Sequence, residues 1–224
     1  MFYLTHTPWW LKKLYPTCTW HIPVKDKTVF LTFDDGPHAE ATPFVLQQLE
    51  QYNAKASFFC IGKNVAQHPE IFEKIKAEDH AVGNHTMNHT NGWKTSDEDY
   101  LKEIAAADIL IGSKLFRPPY GRIKKSQLGN ILGSAVKRNV DTDNALQTAH
   151  CPLPTVVMWS ILSGDFDIGI DGEKCFSNVT KSIKPGSIIV FHDSQKALPR
   201  LQYALPRLLL WMQENGYQSK AIAL

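Results

Sequence analysis

The sequence lacks an uninterrupted apolar run of the ~20 residues that a membrane-spanning helix needs. It also lacks a long basic tract, since 24 Lys and Arg residues nearly balance 22 Asp and Glu residues and the net charge is only +2. Nucleic-acid-binding domains concentrate positive charge on one face or along one helix. We therefore expect neither a transmembrane segment nor a nucleic-acid partner.

Cysteine is scarce as well. The four cysteines are widely scattered and include no C-x-x-C pair, at positions Cys18, Cys60, Cys151 and Cys175. Zinc–thiolate sites and disulfide frameworks both use closely or regularly spaced cysteines. The sequence therefore favours reduced thiols and argues against a zinc–thiolate site or a dense disulfide framework.

The N-terminus lacks the pattern of a secretory signal, because Lys12 and Lys13 interrupt its apolar residues and no small-residue cleavage site follows. This favours a cytoplasmic location by default and leaves export by another route open. Nothing in the sequence indicates an oligomeric state.

What the sequence does contain is an alternation of strand-like and helix-like segments over a length sufficient for one large domain. The predicted strands cover residues 28–33, 55–61, 81–82, 115–116, 155–160, 187–191 and 219–224. Between them, Ser96 is predicted to cap a helix that runs to about residue 111, and another helix is predicted over residues 198–214. This alternation predicts a parallel sheet with helices outside it, and about seven units predict a distorted (β/α)7-type barrel with function at the carboxyl ends of its strands. We expect residues 28–224 to form this single domain and residues 1–27 to pack on it. Residues 127–154 begin like a helix but then show no clear period, which predicts an insertion or an irregular loop of the kind that shapes a site.

Two adjacent carboxylates, Asp34 and Asp35, follow the first predicted strand where Gly36 and Pro37 end it. Neighbouring residues that leave a strand point in different directions, so one carboxylate could bind a metal ion while the other handles a proton. Asp-Gly also opens ordinary Asx turns, and the pair alone leaves that structural interpretation open.

Two histidines, His85 and His89, follow the third predicted strand. Their spacing predicts that both rings lie on one face of a helical turn, where they can reach a single metal ion. With Asp34 or Asp35 they would form a two-histidine, one-carboxylate set that leaves positions open for water and substrate. An open set of this kind is typical of a catalytic metal site.

Five short motifs, in this order, resemble those of the polysaccharide deacetylase family, the NodB-homology domain of carbohydrate esterase family 4. They are TFDDGP at 32–37, HTMNH at 85–89, RPPYG at 117–121, the stretch from Trp159 to Phe166, and VFHD at 190–193. The resemblance extends over nearly the whole chain, from residue 28 to residue 224.

The resemblance implies that Asp35, His85 and His89 hold a divalent metal ion, usually Zn²⁺, with Co²⁺ and other divalent ions as alternatives. It also implies that Asp34 is the general base. The physics agrees with these roles, because a bound cation lowers the pKa of its water from about 16 toward about 7. A nearby carboxylate can then remove the proton at neutral pH.

His192 is the candidate general acid, because it follows a buried strand as Asp34 does and imidazole titrates in the useful range. A histidine hydrogen-bonded at a strand end is the alternative interpretation. The family's matching arginine, here Arg117, pairs with the base, and an aspartate of the fourth motif, here Asp165, steadies that arginine. An ordinary salt bridge is the alternative for Arg117.

The resemblance also predicts groups that contact the substrate. The backbone N–H of Tyr120 would stabilise the oxyanion, with Pro118 beside it, and Val190 would line an apolar pocket for the acetyl group. Leucine is usual in the family at the position of Val190, and the smaller side chain keeps that pocket apolar.

Three aromatic residues are candidates for sugar contacts. Phe166 stands where many family members have tryptophan, so it can wall the groove but cannot donate an indole N–H. Trp93 and Trp159 could stack on sugar rings or belong to the core.

The first hypothesis is a metal-dependent hydrolase that removes N-acetyl groups from an N-acetylglucosamine-containing oligo- or polysaccharide of the chitin or peptidoglycan type. The alternatives are an O-acetyl esterase acting on acetylated xylan, a small-amide hydrolase of the same fold, and a glycan-binding module without turnover. The intact set of predicted catalytic residues argues against the last alternative.

Overall fold

The computed structural model describes residues 3–138 and 155–223. The predicted insertion at 127–154 is described only as far as residue 138, where it forms the main part of a helix, and its remainder lies outside the described residues, as does Cys151. The other three cysteines are buried and free.

The described residues form eight helices and eight strands. The helices are α1 (Trp9–Leu14), α2 (Ala41–Gln51), α3 (Gly62–Gln67), α4 (Pro69–Ala77), α5 (Asp97–Ile111), α6 (Lys125–Arg138), α7 (Gly172–Thr180) and α8 (Leu198–Glu214). The strands are β1 (Thr28–Asp34), β2 (Ala56–Cys60), β3 (Ala81–Asn84), β4 (Leu115–Phe116), β5 (Thr155–Val156), β6 (Ile161–Leu162), β7 (Ile188–His192) and β8 (Gln218–Ser219). None of these helices is long and apolar enough to cross a membrane.

The strands form one parallel sheet in the order β5-β4-β3-β2-β1-β7-β6, with β8 paired to β1. The sheet curls into a half-barrel whose outer face is covered by helices, which confirms the predicted single α/β domain of distorted barrel type. The central strands β1 and β2 are buried along their whole length.

The N-terminal segment lies along the open side of the half-barrel, between β5 and β6. Thr19 pairs with Val157 just after β5, and His6 pairs with Ile161 in β6. These bridges satisfy backbone groups that would otherwise be exposed at the two edges of the sheet. The boundary between this segment and the domain at residue 28 stays a prediction.

The alternation of side chains along β1 and β7 determines what faces the interior of the half-barrel. Every second side chain of these strands packs under the helices in the larger core cluster: Val29, Leu31, Phe33, Ile189 and Phe191. Phe33 stacks between Phe58 and Phe191, with ring centroids 5.2 and 6.1 Å away. The intervening residues, which include Asp34 and His192, therefore point to the inner face.

Two of the predicted elements differ from the structure. Of the predicted strand at 155–160 only Thr155–Val156 forms a strand, because the chain bends at Ser160 and passes from the β4 side of the sheet to the β7 side, where β6 begins at Ile161. The predicted strand at 219–224 pairs only at Gln218–Ser219. The long helices α5 and α8 match their predicted spans, and Ser96 caps α5 by accepting a hydrogen bond from the backbone N–H of Asp99.

Candidate active site

The adjacent carboxylates Asp34 and Asp35 separate at the carboxyl end of β1. Asp34 is the last residue of the strand and its side chain is buried on the inner face. Asp35 has a positive φ of 82°, which turns the chain and sends its carboxylate toward the two histidines. The expectation that the two carboxylates would diverge is confirmed, and the left-handed residue is its cause.

The loop after β3 brings His85 and His89 together, but not as a helical turn. The predicted turn is wrong: the segment is irregular, and Thr86 and His89 have positive φ values of 66° and 56°. This backbone places the two imidazole centroids 5.2 Å apart. The i, i+4 spacing therefore identified the right pair of histidines, although an irregular loop and not a helical turn brings them together.

The ring of His85 is oriented by a hydrogen bond at its other nitrogen. Its Nδ1 lies 2.7 Å from the backbone carbonyl oxygen of Arg117. A carbonyl can only accept, so Nδ1 carries the proton and Nε2 presents a lone pair. Burial, reinforced by the neighbouring His89, lowers the pKa of His85 to about 3, which keeps the ring neutral.

The three side chains Asp35, His85 and His89 form a candidate metal site. Their ligand atoms all lie within 4.8 Å of one another. Asp35 Oδ1 is 3.8 Å from His85 Nε2 and 3.2 Å from His89 Nε2, yet this buried oxygen has no hydrogen-bond partner among the described residues. A carboxylate oxygen that faces the lone pair of a neutral imidazole is repelled unless a cation lies between them. The donor set therefore fits a divalent cation, with the nitrogen and oxygen ligands that zinc accepts.

Arg117 is completely buried beneath Asp34. Its Nη1 donates to Asp34 Oδ1 at 2.6 Å and to Thr32 Oγ1 at 2.8 Å. The remaining nitrogens donate to backbone carbonyls of Val157 and Met158, both at 3.1 Å. Burial lowers the pKa of the guanidinium while the Asp34 carboxylate opposes that effect. The arginine therefore holds one oxygen of Asp34 in a fixed position.

Asp165 does not contact Arg117, and the prediction that it steadies the arginine is wrong. Its Oδ1 is 2.7 Å from His192 Nδ1, and its Oδ2 accepts the backbone N–H of His192 at 2.7 Å. The reason is the sheet order, because β6 lies next to β7 and the chain after β6 reaches the end of β7. Asp165 is fully buried, and its two hydrogen bonds make it a partner of His192.

The contact with Asp165 determines the charge of His192. Burial lowers the pKa of the imidazole, but the charge and the hydrogen bond of Asp165, with Asp35 and Asp34 farther away, raise it to about 10. His192 is therefore protonated at neutral pH. In the β1–β7 register it stands directly opposite Asp34, so a carboxylate and an imidazolium lie side by side at neighbouring strand ends.

The predicted substrate-contacting residues occupy three kinds of position. Tyr120 and Trp93 are 56% and 57% exposed and lie at the mouth of the site, where the Tyr120 ring is 4.5 Å from the ring of His89. Phe166 is half-buried and its ring meets the ring of His192 edge to face at 5.2 Å. Trp159 is half-buried, with Arg117 5.9 Å from its ring.

Val190 and Pro118 are buried in the interior of the site. Val190 lies in β7 opposite Thr32 of β1, two residues before His192 and on the same inner face. Pro118 directly follows Arg117 and caps the 3₁₀ turn Pro119–Gly121. Their roles in binding a substrate stay predictions.

Asp193 is a functional residue that the sequence motifs leave without a predicted role. Its buried carboxylate accepts the backbone N–H of Gly36 at 3.0 Å and the hydroxyl of Thr42 at 2.6 Å, and so holds the turn that positions Asp35. Burial is the main cause that raises its pKa to about 8. The sequence signal that could have identified Asp193 is the one that identified Asp34, a carboxylate at the end of a buried strand.

Known proteins resemble this chain in sequence and in structure. Residues 21–133 match the family model described as polysaccharide deacetylase. A peptidoglycan-N-acetylglucosamine deacetylase of Bacillus cereus is 34% identical over 220 residues, which cover 92% of each chain. A chitooligosaccharide deacetylase of a Bradyrhizobium species is 33% identical over 175 residues, which cover 75% of this chain and 71% of that protein.

One crystal structure is similar over nearly the full length. It is that of a peptidoglycan N-acetylglucosamine deacetylase, with a TM-score of 0.80 and 29% sequence identity over 96% of this chain and 95% of the other.

Proposed function

The chain belongs to the polysaccharide deacetylase family and is a polysaccharide deacetylase, and we propose that it hydrolyses N-acetyl groups of N-acetylglucosamine residues in a glycan of the peptidoglycan or chitin type. We further propose that the reaction depends on a divalent metal ion, with Zn²⁺ as the first candidate. The products are acetate and the free amine on the sugar.

Asp35, His85 and His89 would hold the ion. When bound there, a divalent cation supplies Lewis-acid chemistry, since it lowers the pKa of water and polarises a carbonyl oxygen. The support for this assignment is Oδ1 of Asp35, which has no hydrogen-bond partner within residues 3–138 and 155–223 and faces two imidazole nitrogens.

Asp34 is the proposed general base. Arg117 occupies its Oδ1, so Oδ2 is the oxygen that takes the proton from the attacking water. The water oxygen forms the new bond to the acetyl carbon, and negative charge develops on the carbonyl oxygen. The backbone N–H of Tyr120, at the mouth of the site, is the proposed donor to that oxygen.

His192 is the proposed general acid. Asp165 binds Nδ1 and keeps the ring protonated, which leaves the Nε2 proton for the sugar nitrogen as the bond from carbon to nitrogen breaks. Asp165 and Arg117 are positioning residues in this mechanism, because each acts through the group that it holds. Asp34 ends with the water proton, and His192 has given its proton to the amine.

One observation supports this function more than any other. A carboxylate and a protonated imidazole stand opposite each other in the β1–β7 register, and each is held by its own buried, oppositely charged partner. Two titratable groups with separate partners, beside a metal-ligand triad, are what amide hydrolysis by activated water requires.

The test is a mass-spectrometric screen of acetate release by Zn²⁺-loaded protein, with Asp34→Asn as the control. The substrates are peptidoglycan glycan fragments, chito-oligosaccharides, acetylated xylan and simple amides. Acetate from N-acetylated glycans with the wild type alone supports the proposal. Release only from xylan or only from simple amides would replace it with an esterase or a small-amide hydrolase, and no release from any substrate would overturn it.

A further inference from the structure

Arg122 lies at the mouth of the site between two exposed aromatic rings. Its guanidinium carbon is 5.3 Å from the ring centroid of Trp93 and 5.8 Å from that of Tyr120. In the described part of the chain no carboxylate lies within ion-pair distance of Arg122. We call Trp93, Tyr120 and Arg122 the aromatic rim.

The aromatic rim begins at the proposed metal site. Tyr120 contacts the ring of the proposed ligand His89, and Arg122 and Trp93 follow outward from it. A sugar whose N-acetyl group reaches the metal ligands would therefore have the rim within reach of a neighbouring residue.

The rim is held in place from below. The indole Nε1 of Trp93 donates to the carbonyl oxygen of Ile123 at 3.2 Å, which ties one aromatic residue to the loop that bears Arg122. The buried Gln127 spans the same two loops, because its Nε2 donates to Gly92 O at 2.9 Å and its Oε1 accepts from Lys124 N at 3.0 Å. The exposed faces of the rim are therefore fixed relative to one another before a ligand arrives.

The chemistry of the rim is that of an anionic sugar site. Aromatic faces stack on the C–H faces of sugar rings, but a guanidinium is a rigid fork of donors that matches a carboxylate. Stacking on aromatic rings orients the guanidinium and leaves its edge free to donate. An uncharged glycan offers this group only hydroxyl oxygens, whereas a glycan with a carboxylate beside the reacting residue offers a charged partner.

We propose that the aromatic rim binds a carboxylate carried next to the reacting N-acetylglucosamine residue, and that Arg122 makes the enzyme prefer anionic glycans of the peptidoglycan type over uncharged chito-oligosaccharides. This inference rests on the proposed function and specifies its substrate class. The carboxylate can belong to the lactyl group of the neighbouring sugar or to a peptide attached to it.

The test compares kcat/KM for acetate release from three substrates of equal glycan length. The first is an N-acetylglucosamine–N-acetylmuramic acid oligomer with free lactyl carboxylates, the second is the same glycan with its stem peptides, and the third is a chito-oligosaccharide. Arg122→Gln should lower kcat/KM on at least one carboxylate-bearing glycan about tenfold, mainly through KM, and should change it less than about twofold on the chito-oligosaccharide. The substrate on which kcat/KM falls identifies whether the carboxylate belongs to the lactyl group or to the peptide.

Two further variants separate charge from geometry. Arg122→Lys keeps the charge but loses the fork, so it should recover only part of the preference. Lys94→Gln removes an exposed cation next to Trp93 and should leave the ratio between substrates unchanged. Added salt should reduce the preference of the wild type, because an exposed ion pair is screened.

Three outcomes would overturn the inference. They are an equal loss on charged and uncharged substrates with Arg122→Gln, no change on any substrate, or a wild-type preference for the chito-oligosaccharide. An equal loss would mean that Arg122 only supports the two rings. Absence of acetate release by the wild type from all three substrates is a different result, because it contradicts the proposed function itself.

Discussion

The buried floor of the site, formed by Asp34, Arg117, Asp165 and His192, differs from the aromatic rim in how its side chains are held. Arg117 makes four hydrogen bonds and Asp165 makes two to a single histidine. The rim has two side chains that are more than half exposed, and one hydrogen bond fixes its indole. Both regions carry positive charge, but only the charge of the floor is paired within the described residues.

The difference follows from what each region has to do. A proton transfer needs donor and acceptor held to within about 0.5 Å of their productive geometry, which buried and multiply bonded side chains provide. Substrate selection needs a surface on which a ligand can displace water. The side chains of the rim are therefore exposed, and the charge of Arg122 is available to a ligand. Substitutions in the floor should therefore change kcat or its pH dependence, and substitutions in the rim should change KM.

The largest effect is expected at the proposed metal site. His85→Ala should lower kcat more than about a thousandfold, the scale of losing a group that stabilises charge in the transition state. Calorimetric titration with Zn²⁺ should show loss of the site, and chelation of the wild type should give a comparable loss that Zn²⁺ or Co²⁺ reverses. His21→Ala is the control, because His21 pairs with Ser187 before the start of β7, at the end of that strand opposite to His192. Full activity of the chelated wild type would contradict the metal dependence.

The next largest effect tests whether Asp165 controls the pKa of His192 or only supports the fold. In Asp165→Asn the pKa of His192 should fall from about 10 toward or below its ordinary 6.5, because the charge that raises it is gone. The basic limb of the kcat/KM profile should then move to lower pH, with a loss of about tenfold for each pH unit above the new value. Asp171→Asn, an exposed helix cap on the next helix, is the matched control. An unshifted profile would show that Asp165 does not control the acid.

The ion pair between Asp165 and His192 should also make the stability of the fold depend on pH. The folded pKa of His192 is above the ordinary value, so the ion pair stabilises the fold fully below pH 6.5 and loses that contribution as the pH rises through about 10. Thermal unfolding of Asp165→Asn should therefore depend less on pH across this window than unfolding of the wild type.

A smaller effect is expected in the rim. Trp93→Ala should raise KM about two- to tenfold, the range of 0.5–1.5 kcal/mol for an aromatic contact, and leave kcat nearly unchanged. Trp10→Ala removes another exposed indole, on α1, and should change neither constant. A fall in kcat with unchanged KM would remove the distinction between floor and rim.

The smallest effect concerns the support beneath the floor. Asp193→Asn keeps an oxygen for the N–H of Gly36 but cannot ionise. The raised pKa of Asp193, about 8, means that the folded wild type binds more protons than the unfolded chain between pH 3.8 and about pH 8 and loses stability as the pH rises through that range. The difference in Tm between the variant and the wild type should therefore change by at least about 3 °C in favour of the variant from pH 6 to pH 9. The same difference in Tm at pH 6 and at pH 9 would show that Asp193 does not titrate in this range.

Much of the site could be predicted because its residues follow strands. Asp34, His85 and His192 each come directly at or after a segment of buried strand residues, and the carboxyl ends of parallel strands meet at one edge. The same reasoning found the alternation of strands and helices and the spans of α5 and α8. It did not find the loop geometry of His85 and His89, because two left-handed non-glycine residues leave no signal in a hydrophobic pattern.

The sequence by itself determined the kinds of chemical group and the strand ends that bear them, since residue type and hydrophobic period are local properties. Only the tertiary structure decided which groups are partners. Asp165 binds His192 and not Arg117 because β6 lies beside β7, and Arg122 joins Trp93 because two loops distant in sequence are held together by Gln127. Such pairings depend on the order of strands and the packing of loops, and both arise from contacts between residues far apart in the chain.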